Sequence, residues 1–281
     1  MSGPVLVLLP EGAPAPLVLD SPHSGAEYPA DFRPACDPAL LRQAEDAYVD
    51  ELWGAGPAMG VAIVAARFPR AYIDPNRALE DMDQELLDAP WPGPVAPGDK
   101  TGRGIGLIWR LVKAQHPIYD RKLTVREVES RIDGYWRPYH MALDAVLDER
   151  QRQFGTVWHI DCHSMQSTGN RLSVDGPHAR RADFVLGDRD GTTCAPAFTR
   201  FVAERVAGMG YQVKINDPYK GVEIVRRHGR PAEGRHSLQI ELNRALYMDE
   251  ESHARNGGFA RLQADLATLQ RDILTFVGHR P

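Results

Sequence analysis

Short apolar runs recur along the whole chain, separated by stretches with helical spacing, and this alternation leaves little choice of architecture. The runs are Pro16 to Asp20, Gly60 to Ala65, Val157 to Asp161, Asp183 to Leu186, Gln212 to Ile215 and Ser237 to Leu242. Most are uninterrupted, as expected of strands buried on both faces of a parallel or mixed sheet. Between them, Pro38 to Gly54, Thr124 to Phe154, Ala195 to Met209 and Gly258 to Val277 carry apolar residues at helical spacing; in the first these are Leu40, Leu41, Ala44, Ala47, Tyr48 and Leu52. The order is βαβ-like, with no internal repeat and no low-complexity linker. It predicts a single α/β domain over residues 1–281, with a mixed, mostly parallel central sheet flanked by helices. Ala89 to Gly106 breaks the pattern with four prolines and five glycines. It reads as an irregular loop of the kind that often covers an active site.

With 281 residues, 43% of them hydrophobic, the chain can bury a sizeable core. A net charge of -5 and the lack of any run of five to eight basic residues argue against a nucleic-acid-binding surface. The N-terminal run PVLVLLP has no basic flank and stops at Glu11 and nearby prolines. Nothing approaches the roughly 18 apolar residues of a membrane span, so a cytoplasmic protein is expected. Three widely spaced cysteines, Cys36, Cys162 and Cys194, suit a reducing compartment better than a disulfide framework.

Chemistry gathers where strands run out. In Thr156 to Ser167, TVWHIDCHSMQS, an extended backbone puts His159, Asp161 and His163 on one face and Trp158, Ile160 and Cys162 on the other. His23 follows the first of these strands in DSPHSG, where Pro22 and Gly25 turn the chain at once, and Glu241 closes the last strand in HSLQIELNR. Carboxyl ends of strands are where open α/β sheets bind ligands. Two histidines and a carboxylate converging there, with a further carboxylate to take a proton from water, suit a catalytic zinc with an open fourth position. The alternative for Glu241 is a solvated strand end, although an acid framed by Leu238, Ile240 and Leu242 is unusual on a buried strand. A cationic group, Arg67, Arg70 and Arg77, flanks ARFPRAYIDPNRALED. These arginines either recognise an anionic substrate or pair with Asp74, Glu80 or Asp81. Arg126, Arg131 and Arg137 lie on a charged helical stretch and are expected at the surface.

The segments HSGAEYP, DAYVDELW, YIDPNRALED, WHIDCHSM, LGDRDGTTC, NDPYKG, EIVRRHG and GRHSLQIELNRALYMDE, in this order, resemble the N-formylglutamate amidohydrolase (N-formylglutamate deformylase) family from about Asp20 to Glu250. That family is related to zinc carboxypeptidases and aspartoacylases, so the resemblance implies a zinc-carboxypeptidase-like, eight-stranded type of mixed sheet and one divalent metal ion, zinc. HSMQS resembles the segment that supplies the last zinc histidine, here His163. IEL resembles the one that supplies the catalytic glutamate, here Glu241. DPNR resembles the pair that grips the substrate carboxylate, here Asn76 and Arg77, and NDPYKG lies where a mobile tyrosine stands, here Tyr219.

The chain departs from the relatives' HxxE spacing, because Ala26 stands three places after His23. The acidic ligand must come from elsewhere. Asp46 and Asp50, spaced i and i+4 in QAEDAYVDELW, would share a helix face, and Asp46 is the expected ligand, with Asp50, Glu51 and Glu27 as alternatives. Metal on His23, Asp46 and His163, Glu241 as general base and Asp161 fixing an imidazole tautomer would hydrolyse N-formyl-L-glutamate to L-glutamate and formate, the closing step of one histidine-degradation route. Arg77 with Arg67 or Arg70 would take one substrate carboxylate, leaving Arg226, Arg227 and Arg244 for the other. A related hydrolase acting on another small anionic N-acyl amino acid, or on a short peptide, is the alternative.

Overall fold

The computed structural model of the protein describes residues 3–113, 115–170 and 173–278. In chain order the strands are β1 (Val5–Leu8), β2 (Leu17–Ser21), β3 (Ala62–Ala66), β4 (Leu111–Val112), β5 (His116–Pro117), β6 (Val157–Met165), β7 (Phe184–Gly187), β8 (Val213–Ile215) and β9 (Arg235–Asn243). The α-helices are α1 (Pro38–Arg42), α2 (Val49–Leu52), α3 (Asp99–Gly102), α4 (Val125–Arg131), α5 (Arg137–Phe154), α6 (Pro196–Gly208), α7 (Glu223–His228) and α8 (Phe259–Phe276). Seven strands form the central sheet in the order β1-β3-β2-β6-β9-β7-β8. The pairs β3/β2, β2/β6, β6/β9 and β7/β8 are parallel, whereas β1/β3 and β9/β7 are antiparallel. The sheet is therefore mixed and mostly parallel, with seven strands among the described residues rather than eight.

Alternation along β6 sorts its side chains as its sequence predicts. Ile160 and Cys162 join Leu19, Leu238 and Ile240 in the core beneath α6 and α8. Val157, on the opposite face, packs with Val18, Ala62 and Val64 beneath α5. His159, Asp161 and His163 follow Val157 on that second face. The strand runs on through His163 to Met165, so His163 lies inside β6 rather than beyond its end. All nine residues of β6 pair in register with β9, setting His163 beside Glu241 and His159 beside Ser237.

The connection leaving β2 runs to β3 on one side, whereas that leaving β6 runs towards β7 on the other. A crevice opens at the carboxyl ends of neighbouring strands where such connections diverge. His23 and His163 stand on either side of it.

Three local readings are corrected. The helix expected over Pro38 to Gly54 is broken into α1 and α2, with Tyr48 in the left-handed region at φ +67°. Asp46 thus sits in a turn, and its backbone N–H donates to the His23 carbonyl at 3.0 Å. The stretch from Thr124 to Phe154 is α4 and α5 joined by a π turn at Ile132–Trp136. Arg131, expected at the surface, is buried: its guanidinium lies 4.1 Å from the Tyr72 ring centroid and donates to the Tyr119 hydroxyl at 2.7 Å. Stacking and a hydrogen bond offset the desolvation of the planar cation. β1, cut from the run PVLVLLP, adds an antiparallel edge strand that the prolines obscured in the sequence.

Gly25 shows how tightly the turn after β2 is held. A Cβ there would stand 2.4 Å from the backbone of Arg67 and Phe68, so only glycine lets the loop carrying His23 lie against the exit of β3.

Candidate metal centre

His23, Asp46 and His163 converge at the switch point, all three buried. The two Nδ1 atoms are 3.0 Å apart, and Asp46 Oδ2 lies 3.0 Å from His163 Nδ1 and 3.4 Å from His23 Nδ1. Three donors about 2.0–2.2 Å from a tetrahedral zinc would stand roughly 3.3 Å from one another. The separations and the N, N, O donor set fit such an ion.

The outer nitrogens are also occupied as metal-binding imidazoles require. His23 Nε2 lies 2.7 Å from Asp74 Oδ1, and His163 Nε2 lies 2.8 Å from Asp161 Oδ1. The Asp74 carboxylate behind His23 fixes that ring and aims its Nδ1 at the shared point, whereas His163 Nε2 takes its hydrogen bond from Asn76 Nδ2, with Asp161 at ion-pair distance. Burial, with the charge of Arg70, lowers the pKa of His23 and favours the neutral ring that a metal needs. Burial alone would raise Asp46, but hydrogen bonds to His163 and His23 and the charge of Arg70 hold it well below the usual carboxylate range. Asp74 is likewise kept ionised, against burial, by Arg70, Arg77 and His23.

Asp74 was visible in the sequence only as an ion-pair partner, yet it is the hub of the site. Besides His23 it takes Arg70 Nη2 at 3.0 Å on Oδ2, Trp109 Nε1 at 3.2 Å on the same oxygen, and the Asn76 N–H at 2.9 Å on Oδ1. Asp74→Ala is expected to weaken metal binding by about 10–100-fold, read by competition with a chromophoric chelator. Unchanged affinity would mean that the His23–Asp74 bond orients nothing.

Glu241 stands next to His163 in register, and its Oε1 accepts from Gln239 Nε2 at 3.0 Å. Burial and the charge of Asp46 raise its pKa, against the pull of His163, Arg70 and Lys100. Asn76 does not face outward: its Nδ2 lies 3.1 Å from His163 Nε2, and its Oδ1 accepts the Ile224 N–H at 2.9 Å. Arg77 is buried, donating to the carbonyls of Ile105 and Asn76 at 3.0 and 2.8 Å. Arg70 bridges Asp74 and Asp46, whereas Arg67 pairs with the exposed Glu27. Tyr219 stacks under the Arg181 guanidinium at 5.2 Å, and burial, with the charge of Glu241, pushes its hydroxyl up to about 12 against the pull of Arg181.

The alternatives to Asp46 are engaged elsewhere. Glu51 pairs with Arg255 and Glu27 with Arg67, and Asp50 stands outside the converging group among the described residues. Arg244, held in reserve for a substrate carboxylate, is spent inside the protein. Its Nη2 donates to Asp46 Oδ1 at 2.9 Å, its Nε to Ser164 Oγ and its Nη1 to the Gln43 carbonyl. It anchors the acid of the cluster. Arg226 pairs with Glu223, and Arg227 lies over the Trp136 ring. His159 is a buried structural histidine between Asp20 and Ser237, at 2.8 Å from each.

Imidazoles backed by carboxylates, a buried acid held ionised and a separate glutamate of raised pKa, gathered at the switch point of a mixed sheet, define a hydrolase whose site is able to hold a metal ion. The chain belongs to the N-formylglutamate amidohydrolase family, which it matches over residues 15–248. It is 52% identical to a crystal structure of N-formylglutamate amidohydrolase from Ralstonia eutropha JMP134, with a TM-score of 0.94 and 99% of each chain covered. It is 30% identical, over 92% of this chain and 90% of the relative, to an N-formylglutamate deformylase of Pseudomonas aeruginosa. A Pseudomonas putida N-formylglutamate deformylase is also 30% identical, over 84% of this chain and 82% of its own length.

Proposed function

We propose that this protein hydrolyses N-formyl-L-glutamate to L-glutamate and formate with one divalent metal ion, zinc, held by His23, Asp46 and His163. The observation that carries the reading is the convergence of those three donors with Glu241 in register beside them. A zinc ion bound there supplies Lewis-acid activation of water and of the formyl carbonyl. Glu241 takes the proton of the attacking water on a carboxylate oxygen and then delivers it to the leaving amine nitrogen. Its raised pKa makes it a better proton acceptor than an ordinary glutamate, and Gln239 fixes the side chain by its bond to Oε1. Asp161 and Asp74 keep the two imidazoles turned towards the ion. The Arg70 guanidinium, 3.5 Å from Asp46 and bonded to Asp74, helps hold the charge that develops on the carbonyl oxygen. Arg77, Asn76, Arg67 and Tyr219 form the wider substrate surround, and the reaction belongs in the cytoplasm.

Turnover of N-formylglutamate, N-formylaspartate, N-acetylglutamate and a short peptide by the purified metal-loaded protein tests the assignment. N-formylglutamate is expected to give the highest kcat/KM. Faster hydrolysis of the acetyl compound or the peptide would assign the site to the related class of acyl amino acid or peptide hydrolases.

A further inference from the structure

Most of the cations around the site are already taken up by groups of the protein itself. Arg70 is occupied by Asp74 and Asp46, Arg244 by Asp46, Ser164 and the Gln43 carbonyl, and Arg77 by two backbone carbonyls with Asp74 3.6 Å away. Lys100 differs from all three. Its ammonium has no acid or acceptor within ion-pair or hydrogen-bond distance among the described residues.

Backbone bonds explain why the lysine is held there. It lies on α3, at the end of the proline- and glycine-rich segment, whose preceding residues are mostly exposed. The Gly98 N–H donates to Asp81 Oδ1 at 3.1 Å, and Thr101 Oγ1 donates to the Asp81 carbonyl at 3.3 Å. The Lys100 carbonyl accepts the Ile105 N–H at 3.0 Å, and the Ile105 carbonyl accepts Arg77 Nε at 3.0 Å. The lysine and Arg77 are thus tied through one residue. The charge of Lys100 acts on Arg77, Arg70, Asp74 and Glu241. It lies within electrostatic reach of these groups while remaining only partly covered. Burial, together with the two arginines, pushes its amine down to about 7, as expected of an amine that has like charges and no acid beside it.

We infer that Lys100 receives a carboxylate of the substrate, making it a specificity-determining residue for acidic N-acyl amino acids. This rests on the hydrolytic function proposed above. An incoming carboxylate would meet an ammonium that no protein acid competes for, next to Arg77, and the buried cluster of like charges would be relieved. A neutral analogue gains nothing from that encounter and leaves Lys100 unpaired.

The test compares Lys100→Met and Lys100→Arg with the wild-type enzyme, all zinc-loaded, on N-formylglutamate, its side-chain amide N-formylglutamine and its α-amide. Metal content and Tm confirm that each variant is intact. Lys100→Met is expected to lower kcat/KM for N-formylglutamate by about 10–100-fold, chiefly through KM, and Lys100→Arg to restore part of it. One of the two amides should be indifferent to Lys100→Met, and that amide identifies the carboxylate which the lysine meets. The inference is overturned if all three substrates lose the same factor, if kcat falls with KM unchanged, or if nothing changes. A wild-type enzyme that turns over none of the three would overturn the proposed function instead, so the two failures are distinguishable.

Discussion

Glu241→Gln is expected to lower turnover of N-formylglutamate by about 10²–10⁴-fold while leaving the metal bound and the fold intact. The substitution keeps size and hydrogen-bonding capacity but removes the basic oxygen. The metal donors are untouched, because Glu241 is not among the three converging atoms. Its place depends on sheet register alone: β6 and β9 pair over nine residues, and strands about 4.8 Å apart bring residue 241 beside residue 163. The pH profile carries the same signature. A general base must be unprotonated, so kcat/KM falls as pH drops through the pKa of Glu241. Burial and Asp46 raise that pKa, placing the acid limb above the ordinary glutamate value of 4.5. The residual rate of Glu241→Gln should lack the limb. A glutamine variant with near wild-type turnover would show that the proton goes elsewhere.

His163→Ala and Asp46→Ala are each expected to abolish stoichiometric zinc binding and to reduce activity by about 10²-fold or more, as is removal of the ion by a chelator, with recovery in wild type when zinc is returned. Two donors cannot replace three in a site with no other carboxylate or imidazole aimed at the same point among the described residues. A thermal readout separates loss of the ion from loss of the fold. Zinc that binds only the native state raises Tm, by more the tighter it binds, so added zinc should raise the Tm of wild type and leave that of His163→Ala unmoved. Full activity in a metal-free preparation would remove the basis of the mechanism.

How much of this was legible in the sequence depended on whether a residue acts through its own strand or through a turn. Period-two alternation in WHIDCHSM placed Cys162 in one core and His163 in the site, because a strand's geometry leaves its side chains only two directions. Asp46 was singled out as a helical partner of Asp50, but it reaches the cluster from a turn tied by its N–H to the His23 carbonyl. No periodicity reports a tertiary contact of that kind. Likewise the sequence sorted the arginines into groups by segment without showing what each one meets. Only the fold distinguishes Arg244, committed to Asp46, from Arg67, paired with Glu27. For the same reason Asp74 was legible only as an ion-pair partner of the arginines, and Lys100 was overlooked. Each stands in a proline-bearing loop, where spacing carries little information about direction. The one local hint was Arg70, four residues before Asp74 and paired with it in the structure.

The most direct test of the metal assignment is anomalous diffraction at the zinc edge from a metal-loaded crystal. One peak is expected, about 2.0–2.2 Å from His23 Nδ1, His163 Nδ1 and an Asp46 oxygen, with Glu241 nearby but outside bonding distance. A peak held instead by Asp50, Glu51 or Glu27, or one bonded to Glu241 itself, would contradict it.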